Sequence, residues 1–321
     1  MSSLEHAGVP GTVAGSPSAW DFFADRAFRA LAKAGAVLIL LLLAFILWQI
    51  GRKAWPGMRD YGFGFLTSTT WDVGQGHFGI LPAIWGTLYS SFLALVIGGF
   101  FGVVMAIFLT QDFLPPRLSV VFRTTVELLA AIPSVVYGLW GIFIVVPAIR
   151  PAADWLYAHL GWIPLFGSTL SGPGLLPASL VLAIMILPTV AAVSQDALRQ
   201  VPYRVKEAAY GMGTTRWEAI LGVMLPTAAT GIFGALVLGF GRALGETMAL
   251  AMLIGNSNQL TLSLFSPANT LAALLALNFP EAGPREVAVL MYAALVLLGI
   301  TLVVNIAGGA IMALAGRTIK K

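Results

Sequence analysis

Six strongly apolar stretches, at about 35–50, 80–109, 120–146, 175–193, 230–254 and 286–314, constrain this chain more than any other feature. Inside a bilayer a backbone N–H or C=O finds no water, so a spanning segment must satisfy its own polar groups as a helix. About 20 apolar residues at ~1.5 Å rise cross the ~30 Å hydrocarbon layer. The fold class that follows is an all-α membrane protein with six transmembrane helices. Composition agrees: 58% of the 321 residues are hydrophobic, and 10% are charged, against about 25% charged in soluble domains.

Several functions are excluded at this point. Without cysteine there is no disulfide, thiol catalysis or cysteine-bound metal. His6, His77 and His159 fall in separate loops, so no metal site is expected, and no Ser/His/Asp pattern points to a catalytic residue. The net charge of +4 is small and its basic residues are scattered, which is no footprint for nucleic acid. None of the lysines, Lys33, Lys53, Lys206, Lys320 and Lys321, precedes Ser or Thr, so no phosphate-binding P-loop exists here. No cofactor is expected, and a nucleotide-driven process would bind its ATP on another chain.

Residues 1–34 form a tail and an amphipathic interfacial helix, capped by Ser18, that sets Trp20, Phe23 and Phe28 against Asp21, Asp25, Arg26, Arg29 and Lys33. No cleavable signal is read there. Residues 35–50 are the first span, and 51–79 a loop with the interfacial aromatics Trp55, Tyr61 and Trp71. Five helices fill 80–314, and 315–321 is a basic tail. Gly86, Gly98, Gly99 and Gly102 mark the second span for close helix contact. An inside N-terminus assigns twelve basic residues to cytoplasmic segments and five (Arg52, Lys53, Arg59, Arg150, Arg285) to outside ones. The positive-inside rule therefore puts both termini, and the loop at 203–226, in the cytoplasm.

Charges within the spans are the candidate functional groups. Arg242 and Glu246 sit near the middle of the fifth span, where each costs about 2.5–3.5 kcal/mol on insertion scales. Four residues apart on one helix, they share a face and can pair. One reading is a buried ion pair that fixes helix register. The other is an arginine facing a water-filled path, its fixed donors matched to a passing oxyanion and its attraction moderated by Glu246. Glu127, in the third span, is the other intramembrane acid; it is either a pathway residue or a carboxylate satisfied by Arg123. Pro133 and Pro188 expose carbonyls or kink their helices.

The polar stretch YRVKEAAYGMGTTRWEAILGVMLP at 203–226 separates two apolar runs. Its Glu207-Ala208-Ala209, then Gly213, then a closing Leu225-Pro226, resembles the EAA loop of ABC-importer permeases. That resemblance implies two short cytoplasmic helices docked on a partner ATPase, with Glu207, Ala208, Ala209, Gly213 and Arg216 as coupling residues. Glu207 is expected at the start of the first helix and Gly213 as a left-handed stop between the two.

Residues further narrow the resemblance. GFGRALGETMALAMLIGN, ELLAAIPSVVYGLWG, FLTSTTWD at 65–72 and GPGLLPASLVLAIMILPTVAAVSQDAL are similar to PstC-type permeases of the phosphate-specific ABC importer, from about residue 63 onward. One departure is Tyr292, where the resemblance implies an acidic residue. The family implies a type I ABC-importer permease fold and import of inorganic phosphate by alternating access. It implies a heterodimer with a PstA-type permease, two PstB-type ATPases below, a periplasmic PstS-type binding protein above, and membrane lipid around. It ties Arg242 and Glu246 to phosphate passage. The competing expectations are a permease of the same build for another oxyanion or solute, and an ATP-independent channel or carrier with Glu127 and Glu246 as relay acids.

Overall fold

A computed structural model describes residues 19–111 and 113–318. Ser18, residues 1–17, His6, Asp112, Lys320 and Lys321 lie outside the described residues. The chain divides into two compact units, Met1–Arg52 and Lys53–Lys321.

The described part of the first unit is helical. It belongs to α1 (Ala19–Tyr61), which shows no boundary between an interfacial helix and a span. Lone Gly35 costs a helix only about 1 kcal/mol, and no proline intervenes before Pro56. Asp25 pairs with Arg29 one turn on at 2.7 Å. Its apolar side chains from Val37 to Ile46 are exposed, as suits lipid contact.

The second unit opens on the end of α1, so the expected loop at 51–79 starts only at Gly62, whose φ of +50° suits glycine. A short α2 (Gly64–Thr67) and a two-residue hairpin, β1 (Trp71–Asp72) with β2 (His77–Phe78), follow. Here Phe65 is fully buried and stacks on Tyr292 at 4.7 Å, and the Tyr292 hydroxyl donates to the Gly62 carbonyl at 3.2 Å. Tyr292 is thus a packing residue under this cap.

The bundle is organised on α7 (Leu175–Arg199), the most buried of six described helices long and apolar enough to cross a membrane. Small residues let its neighbours approach. On α3 (Leu81–Thr110), a Cβ at Gly98 would lie 2.5 Å from the Ala183 carbonyl, and one at Gly102 2.9 Å from Val190. On α10 (Leu225–Leu244), a Cβ at Gly239 would lie 2.6 Å from Val190. The glycines of the second span make the close contacts expected of them, with Gly86 set against Asn269. α13 (Pro284–Thr318) packs on the other side of α10, with Gly308 against Val237.

Two spans differ from the sequence reading. Pro133 donates no hydrogen bond and holds Ile132 extended (φ −68°, ψ 127°), so the chain breaks there. Glu127 therefore lies on a separate helix, α4 (Pro116–Ala131), and outside the third span. That span is Ser134–Leu160, made of α5 (Ser134–Trp140), a π-turn at Gly141–Val145 and α6 (Val146–Leu160). Pro147 follows the wide turn, where a missing N–H is tolerated. The same device recurs in the fifth span, where the π-turn Ile220–Met224 precedes Pro226 and joins α9 (Arg216–Ala219) to α10. Arg216–Leu244 is then one continuous span. It ends at Leu244, and α11 (Met248–Leu253) is a separate short helix.

Candidate translocation site and coupling segment

Arg242 occupies the last turn of α10, and Glu246 falls in the break before α11. The chain turns at Gly245, so the two charges do not share one helix face. Among the described residues no ion pair joins them. The Arg242 Nη1 instead donates to Thr189 Oγ1 of α7 at 3.2 Å. Glu246 Oε1 faces the Ala249 N–H at 3.5 Å, at the start of α11, where a helix dipole favours a carboxylate. The ion-pair expectation is thereby revised: the two do not form the i, i+4 clasp, and the guanidinium keeps most of its donors uncommitted. Arg242 is exposed and Glu246 half-buried in the isolated chain.

Two polar side chains join this place that the sequence reading passed over. Thr189 follows Pro188 in the middle of α7. Asn305 of α13 lies over Gly241, where a Cβ would sit 3.2 Å from its Oδ1. An asparagine inside an otherwise apolar span was the available signal.

Below Thr189, a cavity of about 330 Å³ separates α4 from α7, lined by Glu127, Arg123, Asp196 and Arg199 among others. Glu127 thus lines the same cavity as Thr189, the hydrogen-bond partner of Arg242, though from the helix before the span. The Tyr137 hydroxyl donates to the Leu129 carbonyl at 2.8 Å, tying α5 back to α4 across the proline break.

The 203–226 stretch forms the helix–turn–helix that its resemblance implies, with one change of position. Pro202 pre-sets the entry, and α8 (Tyr203–Gly211) begins four residues ahead of Glu207, which is therefore mid-helix. Glu207 and Ala208 are exposed, and Ala209 is buried within the chain. The Ala209 carbonyl accepts from the Thr214 hydroxyl at 2.8 Å. Gly213 turns the chain at φ +83° with no atom near its missing Cβ. Thr215 and Glu218 then close a capping box at the start of α9, next to exposed Arg216. Trp217 stacks on Phe113 at 5.2 Å, joining this segment to the turn between α3 and α4.

An all-helical bundle with this helix–turn–helix is the type I ABC-importer permease fold, and solved structures agree. The chain matches a chain of a bacterial alginate ABC transporter, crystallised with an alginate pentasaccharide-bound periplasmic protein. The TM-score is 0.61 at 16% identity, over 90% of this chain and 94% of that one. It also matches the inward-facing MetNI methionine transporter with TM-score 0.55 at 18% identity, over 74% and 95% of the two chains.

More specifically, the chain belongs to the family described as binding-protein-dependent transport system inner membrane component, whose model matches residues 98–321. It is 42% identical to the phosphate transport system permease protein PstC of Pasteurella multocida (strain Pm70), over 86% of this chain and 88% of that protein. With PstC of Mesorhizobium japonicum it shares 38% identity over 92% of each chain. Permeases of this class are multi-pass inner-membrane subunits that work with an ATPase and a binding protein.

Proposed function

We propose that this chain is the PstC-type subunit of an ATP-driven importer and carries inorganic phosphate from periplasm to cytoplasm. It does so by alternating access, as a gate without chemistry of its own. The observation that supports an anion path is the free side of Arg242: one hydrogen bond to Thr189 holds its position, while Glu246 is engaged at α11. A guanidinium so held offers parallel donors to two oxygens of a tetrahedral oxyanion. It stays charged at every working pH. Glu246 close by in sequence limits how tightly a multivalent anion is retained, and Glu127 lies along the same route lower down.

A PstA-type permease completes the path from the other side, and a PstS-type protein delivers phosphate from above. Of two PstB-type ATPases, one grips the exposed face of α8 at Glu207 and Ala208, together with the Gly213 turn and Arg216, and the other serves the PstA-type permease. Both termini are cytoplasmic, in line with the distribution of basic residues. Closure of the ATPases on ATP moves α8 and α9, and the rigid α9–α10 rod transmits that movement to Arg242.

The phosphate assignment is tested by competition. Uptake of radiolabelled phosphate by the whole importer is expected to resist excess sulfate and molybdate and to fall with unlabelled phosphate. Suppression by sulfate or molybdate at equal concentration would assign the path to another oxyanion.

A further inference from the structure

Two arginines stand where two cavities meet. Arg123 of α4 and Arg199, in the last turn of α7, both line the cavity that contains Glu127 and Asp196. Both also line its neighbour, of about 380 Å³, whose polar wall includes the hydroxyls of Thr110 and Ser119. Among the described residues neither guanidinium has an ion-pair partner, although each has a carboxylate within one helical turn in sequence. Glu127 and Asp196 offset the two guanidiniums in the first cavity, whereas the lining of the second holds both arginines and no acid, so an anion is favoured there. Each guanidinium offers five N–H donors, and the Ser119 hydroxyl can both donate and accept, whereas the Thr110 hydroxyl donates to the Ala106 carbonyl at 2.8 Å. At ~30 Å³ of liquid volume per water, either cavity has room for a tetrahedral oxyanion and its hydration.

We propose that Arg123 and Arg199 form a second anion station, for a phosphate group, between the middle of α4 and the last turn of α7 and separate from Arg242. The carboxylates on its upper side accept from a P–OH and repel a fully deprotonated anion, so the station favours a protonated phosphate over sulfate. Two sources carry such a group: orthophosphate in transit, and the headgroup of an anionic phospholipid at the membrane surface. The import reading places the station on the exit route; the binding itself stands apart from it.

The test uses the whole purified importer complex in lipid nanodiscs made of phosphatidylcholine, with and without phosphatidylglycerol. Bound radiolabelled inorganic phosphate is counted by equilibrium dialysis, and retained phosphatidylglycerol by native mass spectrometry. The Arg123→Gln/Arg199→Gln variant is expected to lose one bound anion per chain. Loss of phosphate names the free ion as occupant, and loss of lipid names the headgroup. Unchanged counts of both overturn the station. Should that variant not assemble, Arg123→Lys/Arg199→Lys keeps both charges without the bidentate fork. It is expected to bind about tenfold more weakly, and unaltered binding there overturns the proposal equally. Arg242→Gln is expected to keep this anion while losing uptake, so the import reading can fail without the station, and the station without it.

Discussion

The guanidinium of Arg242 reaches across from α10 to the hydroxyl of Thr189 on α7, 53 positions earlier, at 3.2 Å. The bond couples the rod that begins at the α8–α9 helix pair to the most buried helix of the bundle. It also fixes the direction in which the remaining donors point.

Thr189→Val keeps shape and removes the acceptor. A hydrogen bond to a charged group contributes about 1.5–3 kcal/mol, and exposure of Arg242 in the isolated chain favours the low end. Phosphate uptake by the complex is expected to fall roughly tenfold, with the amount of assembled complex unchanged. Uptake equal to that of the unaltered protein would detach Thr189 from the site.

At Gly213, φ of +83° separates conformation from size as the reason for glycine. Gly213→Val strains the turn by about 1–2 kcal/mol or more, and it is expected to weaken copurification of the ATPase. Gly213→Asn tolerates positive φ and is expected to retain it. Equal copurification of both variants would show that the turn's conformation is not what docking needs.

Trp217 on Phe113 is a second link out of the coupling segment. Such a pair contributes about 0.5–1.5 kcal/mol beyond its area. Trp217→Ala is expected to leave the complex assembled and its ATP hydrolysis measurable, while phosphate moved per ATP drops several-fold. An unaltered transport ratio would exclude the stack from force transmission.

Close packing of α3 on α7 is tested by Gly98→Val. The added Cβ meets the Ala183 carbonyl at 2.5 Å, an overpacking expected to cost about 1–3 kcal/mol. The Tm of the purified complex should fall, and Gly35→Val, with no atom near it, should leave Tm in place.

Much of this was legible from residue order, because lipid leaves few alternatives to helices. The spans around Gly98 and Tyr292 fall where apolar runs put them, and the turn at Gly213 follows from glycine between two helix-forming stretches. What stayed hidden depended on proline and on through-space partners. Pro133 and the residues around Gly245 end helices inside apolar runs that hydropathy alone reads through. That moved Glu127 onto α4 and separated Arg242 from Glu246. Pro147 and Pro226, which look like stops, are absorbed by π-turns whose presence no propensity announces. Thr189 lies far from Arg242 in sequence, and nothing in local order pairs them.

Uptake of radiolabelled phosphate by the purified importer in ATP-loaded proteoliposomes bears most directly on the role of Arg242. With Arg242→Gln in an otherwise intact complex, accumulation is expected to fall to the level seen without ATP, while the complex still assembles and hydrolyses ATP. Accumulation by that variant at the rate of the unaltered importer would contradict the account.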